Sequence, residues 1–535
     1  MTRSWWSSAV GYEVYIRSFA DANGDGNGDL DGLHDRLEHL AWLGIDVVWI
    51  TPFYPSPRFD MGYDVANYCD VDPIYGDLDA FDRVVARARE LGLRVMVDLV
   101  PNHTSHVHPW FEDSRTSRSS ARRNWYVWRD PAPDGGPPNN WVQHFGGPAW
   151  TWDETTGQYY LHLFLPEQPD LNWDEPAVRD RFDEILRFWL DRGVSGFRID
   201  VAHSLVKDAR LPDNPQLRPV TPDMSPGEVH DSFEHLYDVD QPGVIEVYRR
   251  WRTIVDSYDA LLLGEVYLRD PAKVRRYVAS GDALHTAFNF DLMHMPWEVD
   301  AVRRTLRSLT DNAVGGTAVA ISSHDRKRAP TRFGGGPEGT RRALALLVLT
   351  LGLPELTFLY QGDELGLGDI DVPDDLADDP AGVRNENKSD SRDGCRTPIP
   401  WSPEGPAMGF STSERTWLPL GERKPDDTVA IQRDDPGSHL HRVRELIAAR
   451  RHRTDLHLDG PAAQWMEASD HIVAYRRGAT IVAANLSDQP AELHLPSPDW
   501  AVAYSTLGDG RPPGSATIVL EDLEAVICDL ETETD

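Results

Sequence analysis

The chain has 535 residues, with 87 acidic against 53 basic side chains and a formal net charge of −34 at pH 7. Phosphate backbones and anionic lipid surfaces would repel this charge, so we expect no nucleic-acid and no membrane partner. The length suffices for two or three domains, or for one large α/β barrel with additions. Cys69, Cys395 and Cys528 are odd in number and scattered, which argues against a disulfide framework and against a zinc site.

The sequence has no recognisable signal for secretion or membrane insertion. Its first residues contain no apolar signal core. The longest apolar run, 343–353, is far shorter than the roughly 20 residues that span a bilayer. We therefore expect a soluble, cytoplasmic protein, and the sequence does not indicate its oligomeric state.

Short apolar segments alternate with amphipathic ones along most of the chain, which predicts alternating strands and helices. The strand-like segments are apolar throughout, as expected for a parallel sheet that is covered on both faces. The pattern predicts an α/β fold, a (β/α)8 TIM barrel. Its eight predicted strands are Gly11–Ile16, Asp46–Pro52, Arg94–Val100, Gly196–Asp200, Leu261–Val266, Ala287–Phe290, Thr317–Ser322 and Leu356–Gln361.

Two long segments without helical periodicity interrupt this repeat. The first, 104–173, follows the third strand and is rich in Trp, Pro, Gly and Asn, so we interpret it as an inserted subdomain. The second, 362–436, follows the eighth strand. Both begin at the carboxyl ends of strands, where barrel enzymes place their active sites. After a helix predicted at 439–453, short strands at 472–475, 480–484 and 517–520 predict a C-terminal antiparallel β domain. The predicted boundaries are 1–103 and 174–459 for the barrel, 104–173 for the subdomain and 460–535 for the C-terminal domain.

Three acidic residues lie at the ends of predicted strands: Asp200, Glu265 and Asp325. In a barrel these ends converge on one mouth. Retaining cleavage of a glycosidic bond needs a carboxylate that attacks the anomeric carbon and a protonated carboxyl that protonates the leaving oxygen, about 5 to 5.5 Å apart. A single acid in such a position is usually a helix cap or a salt-bridge partner. Three of them, each beside a His, Arg or Gly, favour a glycosidase site.

Five short blocks follow one another along the chain: Asp98-Leu-Val-Pro-Asn102-His103, Gln168-Pro-Asp-Leu-Asn172-Trp173, Gly196-Phe-Arg198-Ile-Asp200-Val201, Gly264-Glu265-Val266 and His324-Asp325. In this order they resemble the α-amylase superfamily of glycoside hydrolases, family 13, and its oligo-1,6-glucosidase and α-glucosidase branch. The opening Tyr15-Ile-Arg17-Ser-Phe, the element Gly62-Tyr63-Asp64 and the segment Arg392-Asp393-Gly-Cys-Arg396 fit the same branch, so the resemblance spans nearly the whole chain.

The resemblance implies a role for each of these residues. Asp200 would be the nucleophile, Glu265 the general acid and base, and Asp325 the stabiliser of the oxocarbenium-like state. Arg198 would orient the nucleophile and lower its pKa. Five further residues would bind the sugar: His103 and His324 through its hydroxyls, Asp64 and Arg328 at the far end of the terminal glucose, and Tyr63 as a stacking face.

Acidic and amide side chains alternate in the loop after the first predicted strand: Asp21, Asn23, Asp25, Asn27 and Asp29. Oxygen ligands on glycine-containing turns suit a hard cation, with calcium as the expected ion and magnesium as the alternative. The loop is not an EF-hand, because Gly32 occupies the twelfth position, where that motif needs a bidentate Glu. A metal-free turn stabilised by Asx side chains is the other interpretation.

Two positions bear on specificity. Ser323 replaces the Asn that the branch usually has before His-Asp, which alters a contact to Asp325 or to the sugar. Val201, after the nucleophile, accompanies α-1,6 activity in related enzymes, whereas the surrounding residues also resemble enzymes that cleave maltose, so the bond stays open. We expect an exo-acting retaining α-glucosidase that takes a short oligosaccharide without an organic cofactor. The alternatives are a transglucosidase, sucrose isomerase or trehalose synthase with the same chemistry, and, more remotely, a catalytically silent binding protein.

Overall fold

The computed structural model describes residues 4–531 except 269, 312–315, 384–390 and 509. All eight predicted barrel strands form and close into a parallel barrel, in the order β1-β11-β10-β9-β8-β7-β3-β2. The strands are β1 Val10–Val14, β2 Val47–Ile50, β3 Arg94–Leu99, β4 Trp128–Arg129, β5 Trp150–Asp153, β6 Gln158–Leu161, β7 Gly196–Ile199, β8 Leu261–Gly264, β9 Thr286–Asn289, β10 Thr317–Ala320, β11 Leu356–Tyr360, β12 Gln464–Trp465, β13 Ile472–Arg477, β14 Thr480–Asn485, β15 Ala491–His494, β16 Trp500–Ser505, β17 Thr517–Leu520 and β18 Ala525–Leu530.

Helices follow most barrel strands, and their apolar spacing turns one face of each toward the barrel. The second helix, for example, begins after Asp77, whose carboxylate accepts the backbone N–H of Ala80, and it buries Phe81, Val84 and Ala88. The helices are α1 Leu30–Leu43, α2 Leu78–Glu90, α3 Pro109–Ser114, α4 Pro176–Asp191, α5 Pro226–His230, α6 Gly243–Val255, α7 Pro271–Arg276, α8 Asp291–His294, α9 Val299–Asp311, α10 Ala329–Arg332, α11 Gly336–Leu351, α12 Pro380–Val383, α13 Val429–Asp434 and α14 His439–Arg451. None of the helices in the described part of the chain has the length and apolarity that crossing a bilayer requires.

The barrel interior is packed with large side chains and leaves room for ligands at its carboxyl end. Trp49, Phe288 and Phe358 meet inside it, with ring centroids 5.4 to 6.0 Å apart. Strand register places Arg198 on β7 beside Asp98 on β3 and Leu263 on β8. Charged side chains on neighbouring strands therefore meet just above the apolar core.

The inserted subdomain and the C-terminal β domain have the predicted character. The segment between β3 and β7 contains α3 and a three-stranded sheet in the order β4-β6-β5. The C-terminal part forms a five-stranded antiparallel sheet, β12-β13-β14-β18-β16, and the two-stranded pair β15-β17. The segment after β11 extends over the barrel mouth. Its residues 384–390 lie outside the described residues.

A further insertion, which the sequence analysis did not mark, lies between β7 and α6 and covers residues 201–242. It packs against the inserted subdomain, where Trp141 Nε1 donates to the carbonyl of Pro212 at 2.9 Å. The rings of His144 and His230 also stack across this contact, with centroids 4.3 Å apart. The two insertions together form one wall of the barrel mouth.

Candidate active site

Arg198 brings the predicted nucleophile and the predicted acid together. The Arg198 side chain is 3% exposed, and its Nη1 lies 2.7 Å from Asp200 Oδ1. Its Nη2 lies 2.9 Å from Glu265 Oε2, and its Nη1 also binds Asp98 Oδ1 at 2.9 Å. One buried cation thus holds three carboxyl groups from three adjacent strands.

This crowding sets the protonation of the site. Burial raises the pKa of Asp200 above its ordinary value, and the charges of Glu265 and Asp98 raise it further, while Arg198 lowers it. Burial likewise raises the pKa of Asp98 to about 6, again against the effect of Arg198. Asp98 and Asp200 share this guanidinium, so the protonation of one depends on the protonation of the other.

Asp325 has a strongly cationic environment. Its Oδ1 accepts from Arg392 Nη1 at 2.9 Å and from Arg396 Nη2 at 2.8 Å, and its Oδ2 lies 3.3 Å from His324 Nε2. Burial raises the pKa of Asp325, but the charges of His324, Arg392 and Arg396 outweigh it and lower the pKa below its ordinary range. Asp325 is therefore a carboxylate over the whole working pH range, as a group that stabilises a developing cation must be.

Val201 contributes its backbone to the site. Its φ of 36° is unusual for a β-branched residue, and it directs the Val201 N–H to Glu265 Oε2 at 3.0 Å. Backbone strain of this kind is typical of functional sites. The side chain lines the cavity beside the nucleophile, as the proposed influence on specificity requires.

A cavity of about 350 Å³ opens between the catalytic acids and the two insertions. That size lies within the usual range of small-ligand sites. Arg198, Val201, Glu265, His324 and Asp325 line it, and its aromatic walls come from Phe145 and Phe164 on one side and from Tyr267, Phe288 and Phe290 on the other.

Two of the predicted sugar contacts lie behind the cavity wall. Tyr63 stacks on His324 with centroids 5.6 Å apart, so only the other face of its ring is available. His103 is 1% exposed, and its Nε2 lies 3.2 Å from the carbonyl of Tyr63. Burial lowers the pKa of His103 to about 4, so this ring is neutral. Direct contacts of Tyr63 and His103 with a sugar stay predictions.

The structure corrects the assignment of Asp64 and Arg328 to the end of the sugar site. Asp64 is fully buried and accepts hydrogen bonds from Ser56 Oγ and from the backbone N–H groups of Phe59 and Asp60. Arg328 is also fully buried, and its guanidinium donates to the carbonyls of Gln361 and Cys395. Both side chains are buried in the loops that they support, and neither is among the residues that line the cavity in the described part of the chain.

Asp60 and Arg392 form an ion pair next to Asp325. Arg392 Nη2 lies 3.2 Å from Asp60 Oδ1, and the same guanidinium binds Asp325 and, at 2.6 Å, Asp379. Arg392 lines the cavity. The Arg392 segment was recognised in the sequence but received no role, and Asp60 lies only four residues before Asp64. This ion pair joins the loop after β2 to the segment after β11.

The acidic loop that was predicted to bind calcium lies between β1 and α1 and is stabilised by its own hydrogen bonds. Asp21 accepts from the backbone of Gly24 and Gly26, and Asp29 from that of Ala22, Asn23 and Gly32. Asn23 and Asp25 form similar turns, and Asn27 Oδ1 accepts from Arg17. In the described part of the chain, no group of three or more His, Cys, Asp or Glu side chains is arranged to hold a metal ion. The all-oxygen donor set still suits a hard cation, so calcium stays a prediction.

A parallel barrel with acids at the ends of β7, β8 and β10, two of them bound to one arginine, fits the class of enzymes that cleave glycosidic bonds with paired carboxyl groups. The family assignment agrees with this class. The family model described as "Alpha amylase, catalytic domain" matches residues 13–459, and the chain belongs to the α-amylase family. The predicted family and its fold are therefore confirmed, and the chain is a glycoside hydrolase rather than a silent binding protein.

Individual relatives cover almost the whole chain. A "Probable alpha-glucosidase" of Rhizobium meliloti (strain 1021) is 40% identical over 511 residues, which cover 92% of this chain and 91% of the relative. An "Oligo-1,6-glucosidase" of Heyndrickxia coagulans is 34% identical and covers 98% of this chain and 99% of its own length. Among solved structures, the "alpha-glucosyl transfer enzyme, XgtA" superposes with a TM-score of 0.92 at 38% identity, covering 99% of this chain and all of that one.

Proposed function

We propose that this protein is an exo-acting retaining α-glucosidase that removes glucose from the non-reducing end of short α-glucosides. The observation that carries the proposal is the binding of Asp200 and Glu265 to the same guanidinium, at 2.7 and 2.9 Å. This shared contact keeps the two carboxyl groups close, as the double-displacement mechanism requires. The relatives named α-glucosidase and oligo-1,6-glucosidase support the choice of α-glucosides.

The chemistry would proceed in two displacements. In the first, an Asp200 oxygen attacks the anomeric carbon while the bond to the leaving oxygen breaks, and Glu265 gives its proton to that oxygen. In the second, Glu265 takes a proton from water, the water oxygen attacks the same carbon, and Asp200 is released. Asp325 stabilises the positive charge that develops on the sugar in both steps. The two inversions together retain the α configuration.

The ion pair of Asp60 and Arg392 supports exo specificity. Arg392 lines the cavity and binds both Asp60 and Asp325, so the pair links the loop after β2 to the segment after β11 beside the catalytic acids, where we place the closed end of the sugar site. A sugar chain cannot continue through a wall of this kind, whereas a terminal glucose can place its hydroxyl groups against the two charged side chains. The expected substrates are therefore di- and trisaccharides, with little activity inside starch or dextran chains.

A transglucosidase with the same covalent intermediate is the second candidate. The structural relative titled an α-glucosyl transfer enzyme favours it. So do the aromatic walls of the cavity, formed by Phe145, Phe164, Tyr267 and Phe290, because they would exclude water and bind a second sugar or alcohol. A sucrose isomerase and a trehalose synthase are variants of this candidate, and the choice between α-1,4 and α-1,6 bonds is open in both.

One experiment separates these functions. The purified protein is incubated with maltose, isomaltose, sucrose and trehalose, and the products are separated over time. Free glucose in proportion to substrate consumed supports the hydrolase. New disaccharides or glucosides support transfer. A glucose-free product of unchanged mass supports an isomerase, and no reaction with any of the four would contradict the proposed substrate class.

We also keep two expectations as proposals. The loop 21–29 would bind calcium as a structural ion, since no catalytic step described above needs a Lewis acid. The protein would be cytoplasmic, which cell fractionation with a tagged chain tests directly.

A further inference from the structure

Glu13 on β1 is a buried carboxylate at the cavity that the mechanism above does not use. It is 1% exposed and borders the cavity. Its Oε1 is in close contact with His324 Nδ1 and lies 3.4 Å from the His324 backbone N. Among the residues that the structure describes, His324 is the only ion-pair partner of Glu13. A buried carboxylate with no arginine or lysine beside it is costly unless a neighbouring group carries positive charge.

The other side of the His324 ring contains further acceptors. Its Nε2 lies 2.7 Å from Tyr63 Oη and 3.3 Å from Asp325 Oδ2. Tyr63 Oη lies 3.2 Å from Asp98 Oδ2. Asp98 already accepts from Trp49 Nε1 on Oδ2 and from Arg198 on Oδ1, so both of its oxygens act as acceptors. The contacts therefore form a chain from Glu13 through His324 and Tyr63 to Asp98.

Counting protons along this chain distinguishes the two charge states of His324. A neutral ring with its proton on Nδ1 would need the single Tyr63 proton on Nε2, which leaves Tyr63 Oη facing the Asp98 carboxylate without a proton between them. The lone pair of Nε2 would also face Asp325. A neutral ring with its proton on Nε2 leaves Nδ1 facing Glu13 without a proton unless Glu13 itself is protonated, and an imidazole is ordinarily more basic than a carboxylate. A doubly protonated ring gives every contact a donor: Nδ1–H to Glu13, Nε2–H to Tyr63 and Asp325, and the Tyr63 O–H to Asp98.

We propose that Glu13 is a positioning residue that holds His324 as an imidazolium. This cation donates from Nε2 to Tyr63 and Asp325, and it thereby orients both side chains toward their roles beside the sugar. The inference rests on the proposed glucosidase function for its catalytic consequence. The charge assignment itself rests only on the geometry of the four side chains.

The other charged groups around His324 are consistent with this assignment. Arg396 Nε donates to the His324 carbonyl at 2.7 Å, and Arg392 binds Asp325, so neither guanidinium donates to the ring. Tyr15 stacks on the ring with centroids 5.9 Å apart, and Trp49 meets it edge-on at 6.0 Å. Asp325 also forms ion pairs with Arg392 and Arg396, whereas the described ion pair of Glu13 is with His324. Glu13 is therefore the carboxylate that mainly stabilises a positive charge on His324.

The first test is Glu13→Gln, which keeps the size of the side chain and its acceptor oxygen but removes the charge. Loss of the opposite charge beside Nδ1 should make the protonated ring less stable. The basic limb of kcat/KM against pH should then move to lower pH, with a loss of at least about tenfold at mildly alkaline pH that recovers at mildly acidic pH. The loss should appear mainly in kcat, because Asp325 acts on the transition state.

Glu355→Gln is the matched control. Glu355 precedes β11 at the opposite end of the barrel, is fully buried, and accepts from Thr317, so the chemical change is the same at a distance from the site. Its pH profile of kcat/KM should match that of the original protein. A loss in Glu13→Gln by the same factor at every pH, or no loss, would overturn the positioning role.

A second measurement does not depend on activity. In protein labelled with ¹⁵N-histidine, nuclear magnetic resonance reports whether each ring nitrogen carries a proton, and His324→Gln assigns the signal. Both nitrogens of His324 should be protonated at neutral pH in the original protein and not in Glu13→Gln. A neutral His324 in the original protein would overturn the inference even if the variant does not fold. If no glucoside is cleaved, the proposed function fails, and this measurement alone decides the charge state.

Discussion

Replacing Asp60 by Asn tests whether the ion pair of Asp60 and Arg392 binds the terminal glucose. Asp60 Oδ1 accepts from Arg392 at 3.2 Å and its Oδ2 from Gln168 Nε2 at 3.1 Å. Asparagine has one acceptor oxygen, so it can satisfy one of these donors but not both. Arg392 stays in place, because Asp325 and Asp379 still bind it.

The expected loss follows from this geometry. A hydrogen bond to a charged group contributes about 1.5 to 3 kcal/mol, so kcat/KM for maltose should fall about 10- to 150-fold. The control is Asp378→Asn, since Asp378 is half-exposed and pairs with Arg17 at 3.1 Å outside the cavity. An exposed pair contributes at most about 1 kcal/mol, so activity should change little. Equal kcat/KM values for Asp60→Asn and the original protein, both folded by circular dichroism, would refute the assignment of the pair to the sugar site.

Three further predictions concern the acid, a buried carboxylate and the metal loop. Glu265→Gln should lose far less activity on 4-nitrophenyl α-glucoside than on maltose, because only the poor leaving group needs a proton, and equal losses would contradict its role as the acid. Burial raises the pKa of Glu355 to about 7, so between its ordinary value and that pH the folded protein keeps a proton that the unfolded chain has released, and stability falls as the pH rises. Glu355→Gln should therefore stabilise the protein more above pH 7 than below pH 5, by at most about 3 kcal/mol of unfolding free energy. The Tm of both proteins at the two pH values measures this, and a Tm difference that does not change with pH would contradict it. Chelation by EDTA should lower the Tm while the activity of the folded protein persists. Calcium at a hundredfold excess over its Kd would contribute about 2.7 kcal/mol to the free energy of unfolding, and an unchanged Tm would rule out a calcium site in loop 21–29.

The barrel and the meeting of three acids at its mouth could be predicted because both depend on local sequence. Continuous apolar segments mark the eight strands, and Asp200, Glu265 and Asp325 each lie at or just past the end of such a segment. The end of the sugar site could not be predicted in the same way. Asp60 and Arg392 are 332 residues apart and lie on loops, for which no repeat fixes the register.

The mistaken assignment of Asp64 has a local cause. The loop after β2 turns through positive φ values at Arg58, Met61 and Gly62. These turns direct Asp64 inward, where it caps the loop, and leave Asp60 beside Arg392. A sequence pattern does not show which of two acids four residues apart faces a cavity when the backbone between them reverses direction.

The covalent intermediate on Asp200 is the central claim, and trapping it is the most direct test. α-Glucosyl fluoride needs no proton from Glu265 in the first step, whereas release of the sugar needs Glu265 as a base, so the Glu265→Gln variant should accumulate the intermediate. The measurement is the mass of the peptide that contains Asp200 after acid quenching and proteolysis. We expect this peptide to be heavier by one glucosyl residue, and to be unmodified when Asp200→Ala is added to the variant. Fluoride release with an unmodified Asp200 peptide, or a glucosyl group on a different residue, would contradict the account.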